Sequence, residues 1–231
     1  MKQILLVRHG QASFGARDYD ALSDRGHQQA YLLGRALHVR GVRPDVVIHG
    51  DMTRHRETVD GLIGGMGPAV APPVDLDAGW DEFDFAHVME VHKPLYRHRA
   101  VMVADLARTL RPRQAFEQVF TDATLRWVSG DHDDDYRESF PRFTDRVLGA
   151  LDRVAARSPD RGIAVVVTSG GPIALALSHV LAGDASLWPT LNRIAVNTAV
   201  SKILHGSRGL TVSTVNGHEH LESDPDLLTY R

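Results

Sequence analysis

The chain is 231 residues long, has no cysteine, and carries a formal charge of -3 from 26 basic and 29 acidic side chains. The absence of cysteine excludes disulfides, thiolate metal sites and cysteine nucleophiles, and the balanced charge, without a basic stripe, argues against nucleic acid as a partner. The length suits one large α/β domain, or one domain with an inserted cap, better than two independent domains.

The first predicted elements are a buried strand and an amphipathic helix. Residues 4–7 form a short apolar run of the length expected for a parallel strand that is buried on both faces. After a loop at 10–20, Ser23 is the expected N-cap of a helix that has Leu33 and Leu37 on its apolar face and ends at Gly41. Because no apolar stretch of signal-peptide or membrane-spanning length precedes the strand, we expect a cytoplasmic protein that has no membrane partner.

A second strand and helix follow directly. Residues 46–48 are another buried apolar run, and Asp51 is the expected N-cap of a helix that ends at Gly64 and Gly65. Residues 71–76, which include prolines, predict a third strand at a sheet edge. This alternation of strands and helices is typical of a parallel sheet.

The alternation lapses between residues 80 and 137. Helices are predicted at 101–110 and 114–127, and an acidic loop follows at 131–135. We interpret this segment as a helical, cap-like insertion over the carboxyl edge of the sheet. It lies within a single predicted domain that spans residues 1–231.

The strand and helix pattern resumes after the insertion. A helix with Ser139 as its expected N-cap precedes residues 163–167, the most apolar strand of the chain. A glycine-rich turn then leads into a helix that continues through Ala182, and strands at 199–204 and 210–215 close the domain. The predicted fold is therefore a three-layer α/β sandwich with a mostly parallel central sheet.

Reactive side chains follow three of the predicted strands. Arg8 and His9 end the first strand, Arg54 lies in the first turn after the second, and Ser169 and Gly170 follow the strand at 163–167. Ligands of open α/β sheets bind at the carboxyl ends of the strands, so we expect these residues to meet at one edge. Guanidinium forks beside a nucleophilic imidazole, with backbone amides at a helix N-terminus, suit a phosphoryl group.

Several motifs of the chain occur in the order and spacing of one enzyme family. Leu-Val-Arg-His-Gly stands at residues 6–10, a block at 50–58 keeps an arginine and a threonine, and Trp-Asp-Glu stands at 80–82. Smaller matches lie at 22–30, 138–147 and 220–221. On these motifs the chain resembles the histidine phosphatase superfamily, also called phosphoglycerate mutase-like, over most of its length.

The resemblance implies a histidine acid phosphatase-type enzyme that transfers a phosphoryl group in two steps. His9 would attack a phosphomonoester and become phosphohistidine, Glu82 would protonate the leaving oxygen, and water would then release phosphate. Arg8 and Arg54 would hold the phosphoryl oxygens, so that catalysis consists mainly of positioning and electrostatic stabilisation. No metal ion and no cofactor are expected.

Glu82 has two rivals for the role of proton donor. A proton donor must stay protonated near neutral pH, which desolvation by Trp80 and Phe83 and repulsion from the phosphate would favour. Asp81 and Asp84 lie close enough along the chain to take the same role. The choice among the three carboxyl groups stays open at this point.

One position departs from the family pattern. Where the family carries a second histidine, in a Val-Ser-His-Gly-Gly pattern, this chain has Ser169 before Gly170. Ser169 can still donate one hydrogen bond to a phosphate, together with the Gly170 amide, or it can serve only as a helix cap. Because losing one transition-state donor typically lowers a rate about 100-fold to 1,000-fold, we expect activity to be reduced more than phosphate binding.

The sequence thus predicts a metal-independent phosphomonoester hydrolase whose partner is a small-molecule phosphate ester, a small phosphorylated metabolite. Two alternatives stay open: a phosphoglycerate mutase-type phosphoryl transfer, and a weakly active or inactive phosphoester-binding regulatory protein. A metal site made by His218 and His220 with the loop at 131–135 is disfavoured because no third ligand lies nearby in sequence. A homodimer is left open.

Overall fold

The computed structural model describes residues 1–13, 20–157 and 160–230, so part of the loop predicted at 10–20 lies outside the described residues. Within these ranges, six strands form one sheet in the order β3-β2-β4-β1-β5-β6. The strands are β1 (Lys2–Arg8), β2 (Val46–His49), β3 (Val74–Leu76), β4 (Ile163–Thr168), β5 (Val200–Gly206) and β6 (Gly209–Gly217). The helices are α1 (Asp24–Val39), α2 (Thr53–Met66), α3 (Phe85–His92), α4 (Arg99–Ala107), α5 (Pro112–Val128), α6 (Phe140–Arg157), α7 (Gly170–Ala182) and α8 (Trp188–Ile194).

Parallel pairing dominates the sheet. β1 pairs with β4 so that Arg8 lies opposite Thr168, and β2 pairs with both β4 and β3 in the same direction. β5 and β6 join the sheet as antiparallel strands. The middle residues of β1 and β4 are buried, as expected for central parallel strands. The predicted α/β fold with a mostly parallel central sheet is confirmed.

Local sequence signals placed two element ends correctly. Ser23 caps α1, because its side chain accepts a hydrogen bond from the Gly26 amide, and Gly41 follows the helix with a φ of 72°. β3 lies at the sheet edge as predicted, although it begins at Val74 and not at residue 71. Prolines occupy positions 72 and 73, and a proline nitrogen cannot donate to a strand ladder.

The predicted cap of α2 is wrong. The N-cap residue is Met52, and it makes no side-chain capping bond. Asp51 instead donates its backbone amide to a carboxylate oxygen of Asp81 at 2.6 Å. The Thr53 amide, in the first turn of α2, donates to the Asp20 carboxylate at 2.7 Å, so a residue from another loop satisfies the start of this helix.

The predicted end of α2 is also wrong, because the helix continues through Gly64 and Gly65 to Met66. Gly65 faces α1 so closely that a Cβ at this position would come within 2.1 Å of the carbonyl oxygen of Tyr31. A Cβ at Gly34 of α1 would come within 2.0 Å of the Leu62 carbonyl oxygen. These glycines permit a close contact between two helices, and they do not break the helix that contains them.

We expect Gly65→Ala to lower the free energy of unfolding by roughly 1–3 kcal/mol, because the added methyl group overpacks the contact between α1 and α2. Gly64→Ala is the matched control, since a Cβ at Gly64 meets nothing within 4 Å. That variant should raise stability by roughly 0.5–1 kcal/mol through helix propensity. Urea unfolding of the two variants checks the difference, and equal effects would contradict the packing argument.

Contacts divide the described residues into two compact units, and the smaller one is Phe83–Asp145. Aromatic side chains form its interior: the ring centroids of Phe83 and Trp127 lie 4.7 Å apart, and those of Trp127 and Phe140 lie 5.0 Å apart. The indole nitrogen of Trp127 donates to the Glu138 carbonyl oxygen at 2.9 Å, so the largest side chain of this cluster has its polar atom satisfied.

The helices of this unit agree in part with the predicted insertion. α4 and α5 correspond to the helices predicted at 101–110 and 114–127. α3 was missed because 8 residues are too few for a clear helical period. The unit begins three residues later and ends eight residues later than the predicted segment at 80–137. A single domain over residues 1–231 stays a prediction.

The carboxyl part of the larger unit follows the predicted order, with one added element. β4 leads into α7, and β5 and β6 form the antiparallel side of the sheet. α8, which was not predicted, precedes β5, and the indole of its Trp188 donates to the Gly171 carbonyl oxygen at 3.0 Å. In the part of the chain that the structure describes, no helix has the length and apolar character needed to cross a membrane.

Candidate active site

The carboxyl ends of β1, β2 and β4 lie at one edge of the sheet. Arg8 lies opposite Thr168, and His49 lies opposite Val167, so the segments that follow these strands leave the sheet side by side. The chain continues from β1 toward β2 on one side and from β4 toward β5 on the other. Such a reversal is a topological switch point, which is where ligands of α/β sheets bind.

His9 directly follows β1, and one tautomer of its imidazole explains its contacts. Nδ1 lies 2.7 Å from the Gly10 carbonyl oxygen, which can only accept, so Nδ1 carries the proton. Nε2 keeps its lone pair and accepts from Nε of Arg54 at 3.2 Å. Burial lowers the pKa of His9 well below its usual value, and the charges of Arg54 and Arg8 lower it further. The ring is therefore neutral at pH 7.

Arg54 lies in the first turn of α2 and is held on both sides of its guanidinium group. Nη1 pairs with the Asp20 carboxylate at 2.5 Å, and Nη2 lies 3.5 Å from Oγ of Ser169. The second oxygen of Asp20 accepts from the Thr53 amide at 2.7 Å. Asp20 thus orients Arg54 and also supplies the missing cap of α2. Sequence reasoning missed Asp20, because it ends a loop that has no motif of its own.

Arg8 ends β1, and its Nη1 donates to the carbonyl oxygens of Ala195 and Tyr230. Gly170 lies beside it, since a Cβ at Gly170 would stand 3.8 Å from Nε of Arg8. The structure therefore brings Arg8, Arg54 and His9 together and places the start of α7 next to them. The phosphate-binding roles of Arg8, Arg54 and Gly170 stay predictions.

Ser169 occupies the N-cap position of α7, but its hydroxyl group makes no capping hydrogen bond. Oγ lies instead 2.8 Å from Nε2 of His55, in α2. The expectation that the Ser169 side chain caps the helix is wrong, because a partner from a neighbouring helix takes the hydroxyl group. His55 received no role in the sequence analysis, and the only signal was its place next to Arg54.

Glu82 lies at the same helix N-terminus. Its carboxylate accepts from the Gly171 amide, in the first turn of α7, at 3.1 Å. Arg146 holds the preceding segment in place, because its Nη1 donates to the carbonyl oxygens of Gly79 and Asp81 at 3.1 and 2.9 Å. Glu82 is therefore close to the candidate phosphate-binding residues, and its role as proton donor stays a prediction.

The two rivals of Glu82 have different surroundings. Asp84 caps α3 by accepting from the His87 amide at 3.0 Å, and it pairs with Arg137 at 3.5 Å. Asp81 accepts from the Asp51 amide, and burial raises the pKa of its carboxyl group. Asp84 is thus engaged in local structure, whereas Asp81 stays a rival with a raised proton affinity.

A strained turn at Asn197 and Thr198 contacts the backbone of Arg8 and His9. The Asn197 side chain donates to the His9 carbonyl oxygen at 2.9 Å, and the Thr198 amide donates to the Arg8 carbonyl oxygen at 3.0 Å. Thr198 has a φ of 57°, in the left-handed region, which costs a β-branched residue roughly 1–2 kcal/mol. Such strain persists where the surrounding structure imposes it, and here it accompanies the candidate nucleophile.

Comparison with known proteins identifies the family. The family model of the histidine phosphatase superfamily (branch 1) matches residues 4–109 and 109–218. The chain belongs to the histidine phosphatase superfamily. The resemblance that the motifs indicated is thereby confirmed at the level of the family.

Relatives of this histidine phosphatase superfamily member include a phosphatase and a mutase. A mitochondrial serine/threonine-protein phosphatase of Drosophila grimshawi is 43% identical over 61 residues, which are 26% of this chain and 21% of that protein. A 2,3-bisphosphoglycerate-dependent phosphoglycerate mutase of Chelativorans sp. is 29% identical over 97 residues, which are 39% of this chain and 46% of that protein. The chain thus spans less than half the length of these curated relatives.

A solved structure shows that this superfamily member shares the fold of its relatives. The phosphoglycerate mutase from Bacillus anthracis str. Sterne superposes with a TM-score of 0.65, at 16% identity, over 95% of each chain. Matching of the fold over nearly the whole length agrees with the α/β architecture described above.

In this member of the histidine phosphatase superfamily, the two histidines near the carboxyl end, His218 and His220, have local hydrogen-bonding partners. Nδ1 of His218 lies 2.6 Å from the Asn216 carbonyl oxygen, and Nε2 of His220 lies 3.0 Å from Oγ1 of Thr198. Among residues 1–13, 20–157 and 160–230, no three histidine or acidic side chains are grouped as a metal ion would require.

We expect His220→Gln to flatten the dependence of stability on pH. Burial lowers the pKa of His220 to about 4, below its ordinary value of 6.5. Between these values the unfolded chain binds a proton that the folded chain does not, so folding stability falls as pH falls through 6.5. His220 should contribute a slope of up to about 1.4 kcal/mol per pH unit. Urea unfolding from pH 7 to 4 measures it, and identical slopes for both proteins would contradict the assignment.

Proposed function

We propose that this chain is a metal-independent phosphomonoesterase that hydrolyses a small phosphorylated metabolite through a phosphohistidine at His9. The observation that carries the proposal is a neutral imidazole with its proton on Nδ1, whose pKa is lowered by burial and further by two neighbouring guanidinium groups. A nitrogen lone pair beside two fixed positive charges suits attack on phosphorus, because the oxygens of the transferring group carry negative charge.

The proposed reaction has two displacement steps. In the first, the Nε2 lone pair of His9 forms a bond to phosphorus, and the ester oxygen leaves with the electrons of the broken bond and a proton from Glu82. In the second, water attacks phosphorus, gives a proton to Glu82, and returns the bonding electrons to Nε2 as phosphate leaves. Arg8 and Arg54 hold the phosphoryl oxygens throughout, so the Arg54 contact to Nε2 gives way when the ester binds.

The position of Glu82 supports its role, and its hydrogen bond sets a condition on it. An amide donor favours an ionised carboxylate, and Glu82 accepts such a bond from Gly171. We propose that the proton arrives with the substrate. A phosphate monoester has its second ionisation at about pH 6, so its monoanion can deliver one proton to the site.

Glu82→Gln should slow hydrolysis of alkyl phosphates about 100-fold or more, because a poor leaving group depends on protonation. Aryl phosphates, which leave as stabilised anions, should be slowed much less. Asp81→Asn is the matched control, since Asp81 is the neighbouring half-buried carboxyl group. Steady-state rates with both ester classes measure the difference. Equal losses for both classes, or a leaving-group effect in Asp81→Asn alone, would contradict the role of Glu82.

A panel of small phosphoesters, assayed with a chelator present, tests the proposed function. Release of phosphate that persists with the chelator and is lost in His9→Asn is the expected result. Transfer of label between phosphoglycerates without net release would favour a mutase, the activity named for one relative. Binding of phosphoesters with no turnover above the His9→Asn background would instead indicate a regulatory binding protein.

A further inference from the structure

A buried chain of polar groups lies next to the His9 imidazole. Nη2 of Arg54 lies 3.5 Å from Oγ of Ser169, which in turn lies 2.8 Å from Nε2 of His55. The ring centroids of His9 and His55 are 5.7 Å apart. His9 and Arg54 each keep 7% of their surface exposed, whereas Ser169 and His55 keep none. A ligand can therefore touch His9 and Arg54, but His55 acts on it only through Ser169 and Arg54.

The chemistry of these groups sets the direction of the contact between Arg54 and Ser169 and permits Ser169 to donate to His55. A guanidinium group only donates, so Oγ of Ser169 accepts from Arg54. The hydroxyl proton is then available to Nε2 of His55. Burial lowers the pKa of His55 well below its usual value, and the charge of Arg54 lowers it further. His55 is therefore neutral at pH 7, and a neutral imidazole has a nitrogen that can accept this proton.

A charged carboxylate and a neutral hydroxyl group hold the Arg54 guanidinium group from two sides. The Asp20 carboxylate bonds to Nη1 from the partly exposed side, and Ser169 contacts Nη2 from the buried side. A planar fork that is held at both ends keeps its orientation, so before an ester binds its Nε is directed at His9. The contact to Ser169 is long, and such contacts tighten when a substrate binds. When Nε2 of His55 accepts the hydroxyl proton of Ser169, the hydroxyl oxygen stays turned toward Arg54.

We propose that His55 is a positioning residue that holds the Arg54 guanidinium group against the His9 imidazole by way of the Ser169 hydroxyl group. This inference rests on the proposed function and deepens it, because it assigns His55 and Ser169 to the support of the phosphate-binding arginine. It also accounts for a fully buried histidine in the first turn of α2, directly after Arg54.

A double-mutant cycle tests the proposal. His55→Phe fills a similar volume without an acceptor, whereas His55→Gln keeps a polar group that can accept from Ser169. We expect His55→Phe to lower kcat/KM for p-nitrophenyl phosphate roughly 10-fold to 100-fold, as is typical when the support of a ligand-contacting group is lost. His55→Gln should restore most of the loss. The double variant His55→Phe with Ser169→Ala should be no worse than Ser169→Ala, and additive losses would overturn the proposal.

The pH profile supplies a readout that general loss of structure would not move. Arg54, Arg8 and His55 act on the charge of His9, and Asp20 faces Arg54. Both substitutions of His55 remove its titratable imidazole, so the comparison between them isolates the position of Arg54. If Arg54 moves away from His9 in His55→Phe, the acid limb of kcat/KM shifts to higher pH than in His55→Gln. Coincident acid limbs in the two variants would overturn the proposal.

Affinity for inorganic phosphate separates this proposal from the proposed function. Calorimetric titration with phosphate needs no turnover, and His55→Phe should bind it more weakly than His55→Gln does. If the wild-type protein hydrolyses no ester but His55→Phe still binds phosphate more weakly than His55→Gln, the positioning role stands and the proposed function fails. If the wild-type protein hydrolyses esters and His55→Phe matches it in both kcat/KM and phosphate affinity, the positioning role is wrong.

Discussion

His9→Asn should lower kcat/KM for an aryl phosphate by about 1,000-fold or more, because it removes the nucleophile of the proposed reaction. The substitution is conservative in structure. The asparagine amide can still donate to the Gly10 carbonyl oxygen, as Nδ1 of His9 does at 2.7 Å, and only the Nε2 position is lost. Initial rates of phosphate release measure the effect.

His49→Asn is a matched control for this prediction. His49 ends β2, is buried, and places Nδ1 2.7 Å from the Gly50 carbonyl oxygen, the same local bond that His9 makes to Gly10. The same substitution at His49 should therefore leave turnover close to that of the wild-type protein. Comparable losses in the two variants, or an active His9→Asn, would contradict the assignment of His9 as the nucleophile.

Arg54→Ala should lower kcat/KM by about 100-fold to 1,000-fold or more, because one donor to the transferring group is lost together with its charge. The same change removes the donor that lies 3.2 Å from Nε2 of His9. Arg54→Lys should recover little, since an ammonium group cannot contact His9, Asp20 and a phosphate oxygen with a planar fork. Steady-state kinetics measure the loss of turnover, and titration with phosphate measures the loss of phosphate binding.

Arg56→Ala controls for the loss of a positive charge on the same helix. Arg56 is exposed and lies two residues after Arg54 in α2. Its removal should leave kcat/KM and phosphate affinity close to the wild-type values. Equal effects at both positions would mean that the positive charge of the helix attracts the substrate and that the fixed position of the Arg54 guanidinium group is not needed.

The sequence was sufficient to predict which strand ends meet, for a physical reason. Short apolar runs that are buried on both faces predict parallel strands, and the carboxyl ends of parallel strands share an edge. These runs are followed within a few residues by Arg8, His9, Arg54 and Ser169, so the positions of these residues depended mainly on strand order. The same reasoning reached Glu82 only through the family motif, because no strand precedes it.

The contacts of the site side chains were not predictable from the sequence. Asp20 reaches Arg54 from a loop, and Ser169 bonds to His55 and does not cap α7, since tertiary partners override the local capping preference. Gly64 and Gly65 carry the composition of a helix breaker but lie within α2. The close approach of α1 shows that Gly65 serves helix packing and does not end α2, and the sequence does not contain this information.

Trapping of the covalent intermediate tests whether His9 is the nucleophile. The protein would be mixed with an aryl phosphate that carries labelled phosphorus, quenched in base during turnover, digested, and mapped by mass spectrometry. We expect label on His9 that is stable in base, lost in acid, and missing from His9→Asn. An acid-stable label on Ser169 or another hydroxyl group after a parallel quench in acid, or turnover with no labelled protein at any time after mixing, would contradict the assignment of His9.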